Sequence, residues 1–400
     1  MSEELKFSMM THGQDSIDAL QSILTQFEAE KHIHVNLQPM SWEAGWAELV
    51  KFALHGNGPD VSEIGSTWVG SLAAMNALRP FNVREIATVG GRYAFLHPSW
   101  QSGYLTGEPE MWAIPWLSNV RMMFYRRDLF QQAGIDGQTA FQSPAHFEQT
   151  LSRLQAAGVA VPFTMPTANT LNILHSVAAW VWGAGGSFTS SDGKLTGFNT
   201  PQAYAGFRAY FDLQRHLTTP ARSLGTDEAE NLFLNGQAAI TISDPGLVYA
   251  IRHGAAAPEV VAHTQTTLPP GVPFVGGSNL IVWKHTRYEK AAVDLITHLT
   301  KRSIQTAYSA HAHSLPVRLD ALGDQPFSID PVYKPMVEAL KTGRSYRANR
   351  LWGLIEDKLF NELNQIWSEI FARPDLDIEA AIDGHLKPLG KELDRLIASR

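Results

Sequence analysis

Residue types that catalyse reactions are present in this chain, but not at the spacing that a reaction requires. Cysteine is absent, which excludes thiolate nucleophiles, thiolate metal sites and disulfides. There is no Gly-x-Ser-x-Gly nucleophile elbow, no phosphate-binding loop ending in Gly-Lys-Ser/Thr, and no His-Glu-x-x-His motif. Residues 183–186, Gly-Ala-Gly-Gly, lack the third glycine of a dinucleotide-binding motif and predict a tight turn. We therefore predict no catalytic residues and no enzyme activity.

Two pairs of polar side chains have a spacing that chemistry could use. His311 and His313 would place both imidazoles on one face of a strand, as metal ligands require. No carboxylate follows closely in the sequence to complete a ligand set, so we interpret them as surface histidines. Glu228 and Glu230 fall on an amphipathic helical pattern, which favours a solvated face. The sequence thus predicts no metal site and no cofactor.

Tryptophan is the residue type that points to a binding function, with 11 in the 400 residues. A flat indole stacks on the apolar face of a sugar ring, while carboxylate, amide and guanidinium groups bind the sugar hydroxyls. Trp46, Trp283 and Trp367 fall on buried faces and are interpreted as structural. For the tryptophans that the patterns place in loops, the alternative interpretation is ordinary packing against the protein core. The tryptophans that the patterns place in loops are Trp42, Trp68, Trp112, Trp116 and Trp352.

Charge and hydropathy restrict the partners. The net charge is −7, and an acidic surface argues against nucleic acid as a partner. The longest mostly apolar run, 173–186, is too short to cross a membrane and contains His175. The first seven residues have no apolar signal-peptide region. We expect either a cytoplasmic protein or one whose targeting segment precedes this sequence.

The predicted elements explain where the aromatic residues would be placed. The first 80 residues alternate strand and helix, which predicts a parallel sheet covered by helices, with Asp15 as the cap of the first helix. A second α/β region begins near Val120, and the carboxyl end is strongly helical. Ligands bind beyond the carboxyl ends of parallel strands. The loops at those ends are residues 11–15, 40–43 and 65–68.

An ordered series of short motifs runs along almost the whole chain. Residues 58–68, Gly-Pro-Asp-Val-Ser-Glu-Ile-Gly-Ser-Thr-Trp, form an apolar strand that ends in a Trp-bearing loop. The most specific stretch is Ala-Ile-Pro-Trp at 113–116 followed by Met-Phe-Tyr-Arg-Arg-Asp-Leu-Phe at 123–130. In order and spacing these motifs resemble the solute-binding proteins of sugar ABC importers, in the maltose- and trehalose-binding branch of family 1. Further matching segments are 231–240, 276–280 and 314–318.

The resemblance implies an α/β, periplasmic-binding-protein-like fold with two lobes, several hinge crossings and a helical carboxyl end. Lobe 1 would comprise 1–117 and 274–316, and lobe 2 would comprise 118–273 and 317–400. A mono-, di- or small oligosaccharide would bind in the interlobe cleft, and lobe closure would deliver it to the permease subunits of an ABC importer. The resemblance also implies an extracytoplasmic monomer, periplasmic or anchored as a lipoprotein.

The resemblance and the strand-end rule indicate the same ligand-binding loops. One departure concerns Asp244, because maltose-binding relatives carry a stacking aromatic at this loop. We therefore expect Asp244 to bind a hydroxyl, and the sugar need not be maltose. The candidates in the first lobe are His12, Gln14, Trp42, Glu43, Ser66, Trp68, Gly277 and Ser278. Those in the second lobe and at the crossings are Trp116, Asn119, Trp182, Asp244, Arg350 and Trp352.

Two other functions remain open at this point. A binder of the same fold could hold a glycerol phosphoester, but this ligand calls for basic residues on the site loops, and Arg350 is the single basic candidate. A carbohydrate-active hydrolase would need two carboxylates about 5–10 Å apart. Glu43 and Asp244 are the loop carboxylates that could serve.

Overall fold

The computed structural model describes residues 4–347, 349–373 and 375–398, and it divides into two compact units. Unit 1 comprises the described parts of Met1–Asn119, Val275–Asp330 and Ser345–Gly353. Unit 2 comprises those of Val120–Phe274, Pro331–Arg344 and Leu354–Arg400. No helix among the described residues is long and apolar enough to cross a membrane.

Unit 1 is built on a mixed sheet of seven strands, and elements are numbered here in chain order. Its strands are β1 (Glu4–Met10), β2 (His34–Met40), β3 (Val61–Gly65), β4 (Leu78–Arg79), β5 (Ile114–Val120), β9 (Val275–Trp283) and β10 (Leu315–Pro316). The strand order is β10-β5-β9-β3-β1-β2, with β4 beside β9. β1 is parallel to β2 and to β3, as predicted, whereas β9 runs antiparallel to β3.

The helices of unit 1 cover this sheet. They are α1 (Gln14–Lys31), α2 (Trp42–His55), α3 (Val69–Ala74), α4 (Val83–Thr88), α5 (His97–Gln101), α13 (Glu289–Leu299) and α14 (Arg302–Ser309). α1 buries Leu20, Leu24 and Phe27, the face that the sequence predicts. Its predicted cap is wrong: Gly13, at φ 109°, precedes the first turn, and Asp15 lies within that turn, where a carboxylate favours the helix dipole.

Unit 2 contains a three-stranded antiparallel sheet in the order β7-β6-β8. Its strands are β6 (Met122–Arg126), β7 (Ile240–Ser243) and β8 (Thr264–Thr267). Its helices are α6 (Arg127–Gln132), α7 (Pro144–Ala156), α8 (Asn172–Gly183), α9 (Pro201–Phe211), α10 (Thr226–Leu234), α11 (Pro245–Arg252), α12 (Pro258–His263), α15 (Tyr333–Thr342), α16 (Trp352–Ala372, beginning in unit 1) and α17 (Ile378–Ala398). The predicted turn at 183–186 follows α8, with Gly185 at φ 83°.

The units differ from the predicted lobe ranges mainly in two segments. Residues 317–330 and 345–353, assigned by the sequence to lobe 2, lie in unit 1. The physical reason is visible at Val317, whose N–H donates to Gln305 Oε1 at 3.0 Å and whose carbonyl accepts from Leu96 N at 2.9 Å. The role of the two units as moving lobes stays a prediction.

Three predicted positions of tryptophans are corrected by the elements, and one of them is Trp352, which is the first residue of α16 rather than a loop residue. Trp42 is the first residue of α2, capped by the Ser41 hydroxyl, which accepts from Ala44 N at 3.2 Å. Trp116 lies inside β5 rather than in a loop. Trp283 and Trp367 are fully buried, as predicted, but Trp46 is only half-buried.

The contact between α8 and α9 depends on a glycine. A Cβ at Gly206 would lie 2.4 Å from the Cα of Val181 and 2.7 Å from the carbonyl oxygen of Trp180. We expect Gly206→Ala to lower the free energy of unfolding by about 1–3 kcal/mol, because the helices must separate. Gly384→Ala on α17, with open space around it, is the matched control and should raise stability by up to about 1 kcal/mol. Calorimetric melting of both variants checks this, and equal melting temperatures would contradict the prediction.

Candidate functional site

Three half-buried tryptophans meet at the carboxyl-end edge of the parallel strands of unit 1. Trp42 begins α2, and Trp68 follows β3. Their ring centroids are 5.7 Å apart with the planes at 59°, and Trp46 lies 5.6 Å from Trp68 at 50°. We call Trp42, Trp46 and Trp68 the aromatic cluster. None of the three tryptophans is fully buried.

Two histidines adjoin the aromatic cluster. The ring centroid of His12, in the loop after β1, lies 5.9 Å from that of Trp42. The indole Nε1 of Trp42 is 3.4 Å from Nε2 of His12. His313, which the sequence indicates as a surface residue, has its ring 5.6 Å from that of His12. Polar ring nitrogens therefore lie next to the indole surfaces.

Two glycines allow this close packing. A Cβ at Gly45 in α2 would lie 2.7 Å from Sδ of Met10, the last residue of β1. A Cβ at Gly65, which ends β3, would lie 3.2 Å from Cδ2 of Trp68. The Trp68 ring is consequently laid against the end of β3, and α2 lies directly against β1.

A buried carboxyl group, Glu63, lies in β3 two residues before Gly65. Its Oε2 accepts the N–H of Met10 at 2.7 Å, whereas its Oε1 has no hydrogen-bond partner in the described part of the chain. Burial raises the pKa of Glu63 to about 7, although the nearby Ser278 hydroxyl and the Met10 N–H both lower it. Burial raises the pKa of Tyr308 on α14, and the negative charge of Glu63 raises it further.

Arg350 does not offer a free positive charge. Its Nε and Nη2 donate to the two oxygens of Glu108 at 2.7 and 2.8 Å, a bidentate pair, and its Nη1 donates to the carbonyl of Ala73 at 2.9 Å. The guanidinium also lies 5.6 Å over the ring of Trp112. The Arg350 side chain is 42% exposed, and its guanidinium covers Trp112, a half-buried tryptophan.

Two candidate tryptophans are enclosed within unit 1. Trp116 is fully buried and stacks on Tyr308 at 5.1 Å and 14°, with Phe7 at its edge. Trp352 is fully buried and stacks on Tyr346 at 4.6 Å and 27°. In this structure both rings pack on protein, and a ligand contact by either stays a prediction.

The remaining candidates of unit 1 are spread around the strand ends. Gln14 is exposed and donates to Asp18 Oδ1 at 2.7 Å, and Glu43 is exposed on α2. Ser66 is half-buried, and its N–H donates to the carbonyl of Gly277 at 2.9 Å. Ser278 is buried and Asn119 half-buried. A Cβ at Gly277, at φ 125°, would lie 2.1 Å from the carbonyl oxygen of Leu117.

In unit 2, Asp244 belongs to a polar cluster around Arg121. Asp244 Oδ1 caps α11 by accepting Gly246 N at 2.8 Å, and its Oδ2 lies 3.6 Å from Arg121 Nη2. Glu230 accepts the Ser243 hydroxyl at 2.5 Å and is not the solvated side chain that the helical pattern indicated.

The last candidate, Trp182, lies elsewhere in unit 2. It is buried, with its ring centroid 6.3 Å from that of Phe274 and 5.9 Å from that of Phe188. These two aromatic neighbours belong to its own unit.

Sequence reasoning missed four residues of these clusters. Trp46 was assigned to the core because its helical spacing matched the buried face of α2. Glu63 and Arg121 lie in or beside apolar strand patterns, where a charged residue is the signal that could have found them. Glu230 was hidden by a helical pattern that does not show which face is covered.

Comparisons with known proteins identify the fold. The family described as bacterial extracellular solute-binding protein matches residues 13–306. A binding protein of Brucella abortus (strain 2308) is 22% identical over 329 residues, covering 78% of this chain and 76% of that protein. The sugar-binding protein MalE from Xanthomonas citri superposes with a TM-score of 0.83 at 20% identity, covering 99% of this chain and 98% of that one. UgpB from Mycobacterium tuberculosis, in complex with glycerophosphocholine, superposes with a TM-score of 0.80 at 19% identity over 99% and 100%.

The raised pKa of Glu63 predicts a pH-dependent stability. The folded protein binds this proton more tightly than the unfolded chain does, so the free energy of unfolding falls as the pH rises from about 4.5 to about 7. The loss is at most about 3 kcal/mol. Glu63→Gln keeps an oxygen acceptor for Met10 N and does not ionise, so it should flatten the dependence over this interval.

Urea unfolding at a series of pH values measures this effect. Glu43→Gln, which removes an exposed carboxyl on α2, is the control and should keep the slope of the parent protein. If Glu63→Gln and the parent lose stability equally between these pH values, Glu63 is not the titrating group.

Proposed function

We propose that this chain, which belongs to the bacterial extracellular solute-binding protein family, binds a small saccharide and delivers it to an ABC importer. The family membership and the MalE-like α/β fold with a helical carboxyl end confirm the resemblance found in the sequence. The family binds solutes for import and does not transform them, which removes the hydrolase alternative. A saccharide as the particular solute is the proposal.

The observation that carries the proposal is the aromatic cluster of unit 1. Its three half-buried tryptophans lie at the edge where α/β sheets bind ligands. The C–H groups of a pyranose ring pack on indole faces, and the imidazole of His12 lies 5.9 Å from the ring of Trp42. The similar MalE from Xanthomonas citri is described as sugar-binding, which agrees with this chemistry.

The charges at the candidate residues favour an uncharged ligand. Arg350 is held by both oxygens of Glu108, and Arg121 lies beside Asp244. Each guanidinium therefore already has a carboxylate neighbour, whereas a phosphate would need an unpaired one. The loops that carry the aromatic cluster contain no lysine or arginine at 11–15, 40–43 or 65–68.

A glycerol phosphoester is the second candidate. UgpB from Mycobacterium tuberculosis, the structure with glycerophosphocholine, shares the fold at nearly the same TM-score as the sugar-binding relative. Glycerophosphocholine and glycerol 3-phosphate therefore belong in any ligand screen. Binding of either one in preference to every saccharide would replace the proposal.

We further propose that the two units act as the lobes of the family fold. A ligand that contacts both has higher affinity for a closed form and shifts the population toward it, and the closed form would dock on the permease subunits. The residues proposed to contact the saccharide first are His12, Trp42, Trp46, Trp68, Ser278 and Asp244. Contacts by the other candidates, the anchor as a lipoprotein and the monomeric state stay predictions.

Removing an indole of the aromatic cluster should weaken saccharide binding with little loss of stability. We expect Trp42→Ala and Trp68→Ala each to raise the Kd of the best saccharide about five- to tenfold, because each stacked ring contributes about 1–1.5 kcal/mol. Isothermal titration calorimetry, after a thermal-shift screen of mono- and disaccharides and both phosphoesters, measures the change.

The matched control is Tyr93→Ala, which removes an aromatic ring of unit 1 that is 84% exposed. This variant should bind as the parent protein does. Unchanged affinity in both tryptophan variants would remove the aromatic cluster from the site.

Lobe closure predicts a change of shape on binding. Small-angle scattering with a saturating amount of the best ligand should give a smaller radius of gyration than the ligand-free protein does. A profile that stays the same, with binding verified by calorimetry in the same buffer, would contradict closure.

A further inference from the structure

We propose that Asp244 determines whether unit 2 accepts a charged or an uncharged ligand. Its carboxylate pairs with Arg121 and faces the ligand in place of the guanidinium. The inference rests on the proposed function in that it concerns the same solute. It assigns Asp244 as a specificity-determining residue that favours hydroxyl-bearing, uncharged ligands and rejects phosphate groups. In this arrangement Asp244 shields the ligand from the positive charge of Arg121.

The guanidinium of Arg121 is buried among oxygen atoms. Its side chain is only 6% exposed, and its Nη2 donates to Oδ1 of Asn172, the first residue of α8. The amide of Asn172 donates in turn to Thr226 Oγ1, at the start of α10, at 2.9 Å. This network holds the arginine in one orientation, so its charge is present whether or not Asp244 neutralises it.

Asp244 is the accessible member of the pair. Its side chain is 24% exposed, four times the fraction for Arg121. One oxygen is committed to the α11 cap through Gly246 N, and the other lies 3.6 Å from Arg121. A ligand that reaches this loop from solvent therefore meets a hydrogen-bond acceptor with negative charge first. Hydroxyl groups can donate to it, whereas a phosphate is repelled.

The charges of Glu230 and His175 do not change the conclusion that a ligand meets Asp244 before Arg121. Burial, and then the charge of Asp244, raise the pKa of Glu230 to about 7, so Glu230 is partly protonated near neutral pH. Burial, and then the charge of Arg121, lower the pKa of His175, which leaves that imidazole neutral. Asp244 is the carboxylate that forms an ion pair with Arg121, with Oδ2 3.6 Å from Nη2.

Removing the charge of Asp244 should uncover an anion site. Without that carboxylate, a fixed guanidinium would remain at the amino-terminal ends of α8, α10 and α11, whose dipoles add positive potential. Asp244→Asn is the suitable change because asparagine caps helices as well as aspartate does. Glu230 becomes more acidic once Asp244 is neutral and would partly take its place, so Asp244→Asn/Glu230→Gln removes both carboxylates.

The experiment measures the Kd of glycerol 3-phosphate by calorimetry at low ionic strength. We expect the parent protein to bind it weakly or not at all, Asp244→Asn to bind about tenfold more tightly, and the Asp244→Asn/Glu230→Gln variant more tightly still. The gain should vanish in Asp244→Asn/Arg121→Gln, in which the pair is removed together, and should decrease with added salt.

Asp357→Asn provides the control for net charge, because it makes the same change at an exposed position of α16. It should leave the phosphate affinity at the parent value. If Asp244→Asn fails to fold by circular dichroism, Asp244→Ser retains an oxygen cap and carries the same expectation.

Three results would overturn the inference. They are no gain in a folded Asp244→Asn protein, a gain that persists after Arg121→Gln, and a parent protein that binds glycerol 3-phosphate tightly and loses it in Asp244→Asn. The saccharide screen is a separate measurement. A parent protein that binds no saccharide removes the proposed ligand, while the phosphate gain still decides the role of Asp244.

Discussion

The parallel pairing of β1 with β2 and β3 is the constraint on which the candidate site depends. Parallel strands end at the same edge, so the residues that follow them are brought together although they lie far apart in the chain. His12, Trp42 and Trp68 each come two or three residues after such a strand end. The position of the candidate site therefore follows from the backbone hydrogen bonds of the sheet. Its side chains lie in the segments that follow the strand ends.

Buried charge is the second theme that the two units share. In unit 1 the carboxyl of Glu63 binds Met10 N–H and ties β3 to the end of β1, beside the loop that carries His12. In unit 2 Arg121 orders the amino-terminal ends of two helices through Asn172 and Thr226. An ionised group without water is costly unless it is paired, so each cluster also fixes the backbone around it.

Ion pairs between arginines and carboxylates determine which positive charges are available to a solute. Arg350 was the single basic residue proposed for the site, yet its guanidinium is already engaged by Glu108 and covers Trp112. Arg121 is nearly buried, and its Nη2 lies 3.6 Å from Asp244 Oδ2. A count of arginines along the chain overestimates the capacity for anions, because a guanidinium in a bidentate pair has few donors left.

Local pattern determined much of this protein: the alternating strands and helices, the buried face of α1, the turn at 183–186 and the family are all readable in the sequence, because periodicity and motif order depend on near neighbours. Only the tertiary structure decided which aromatic rings stay partly exposed. Trp46 and Trp116 show why: the coverage of a ring depends on side chains distant in sequence, Trp68 in one case and Tyr308 in the other. Charge pairing across more than a hundred residues, as between Arg121 and Asp244, leaves no local signal either.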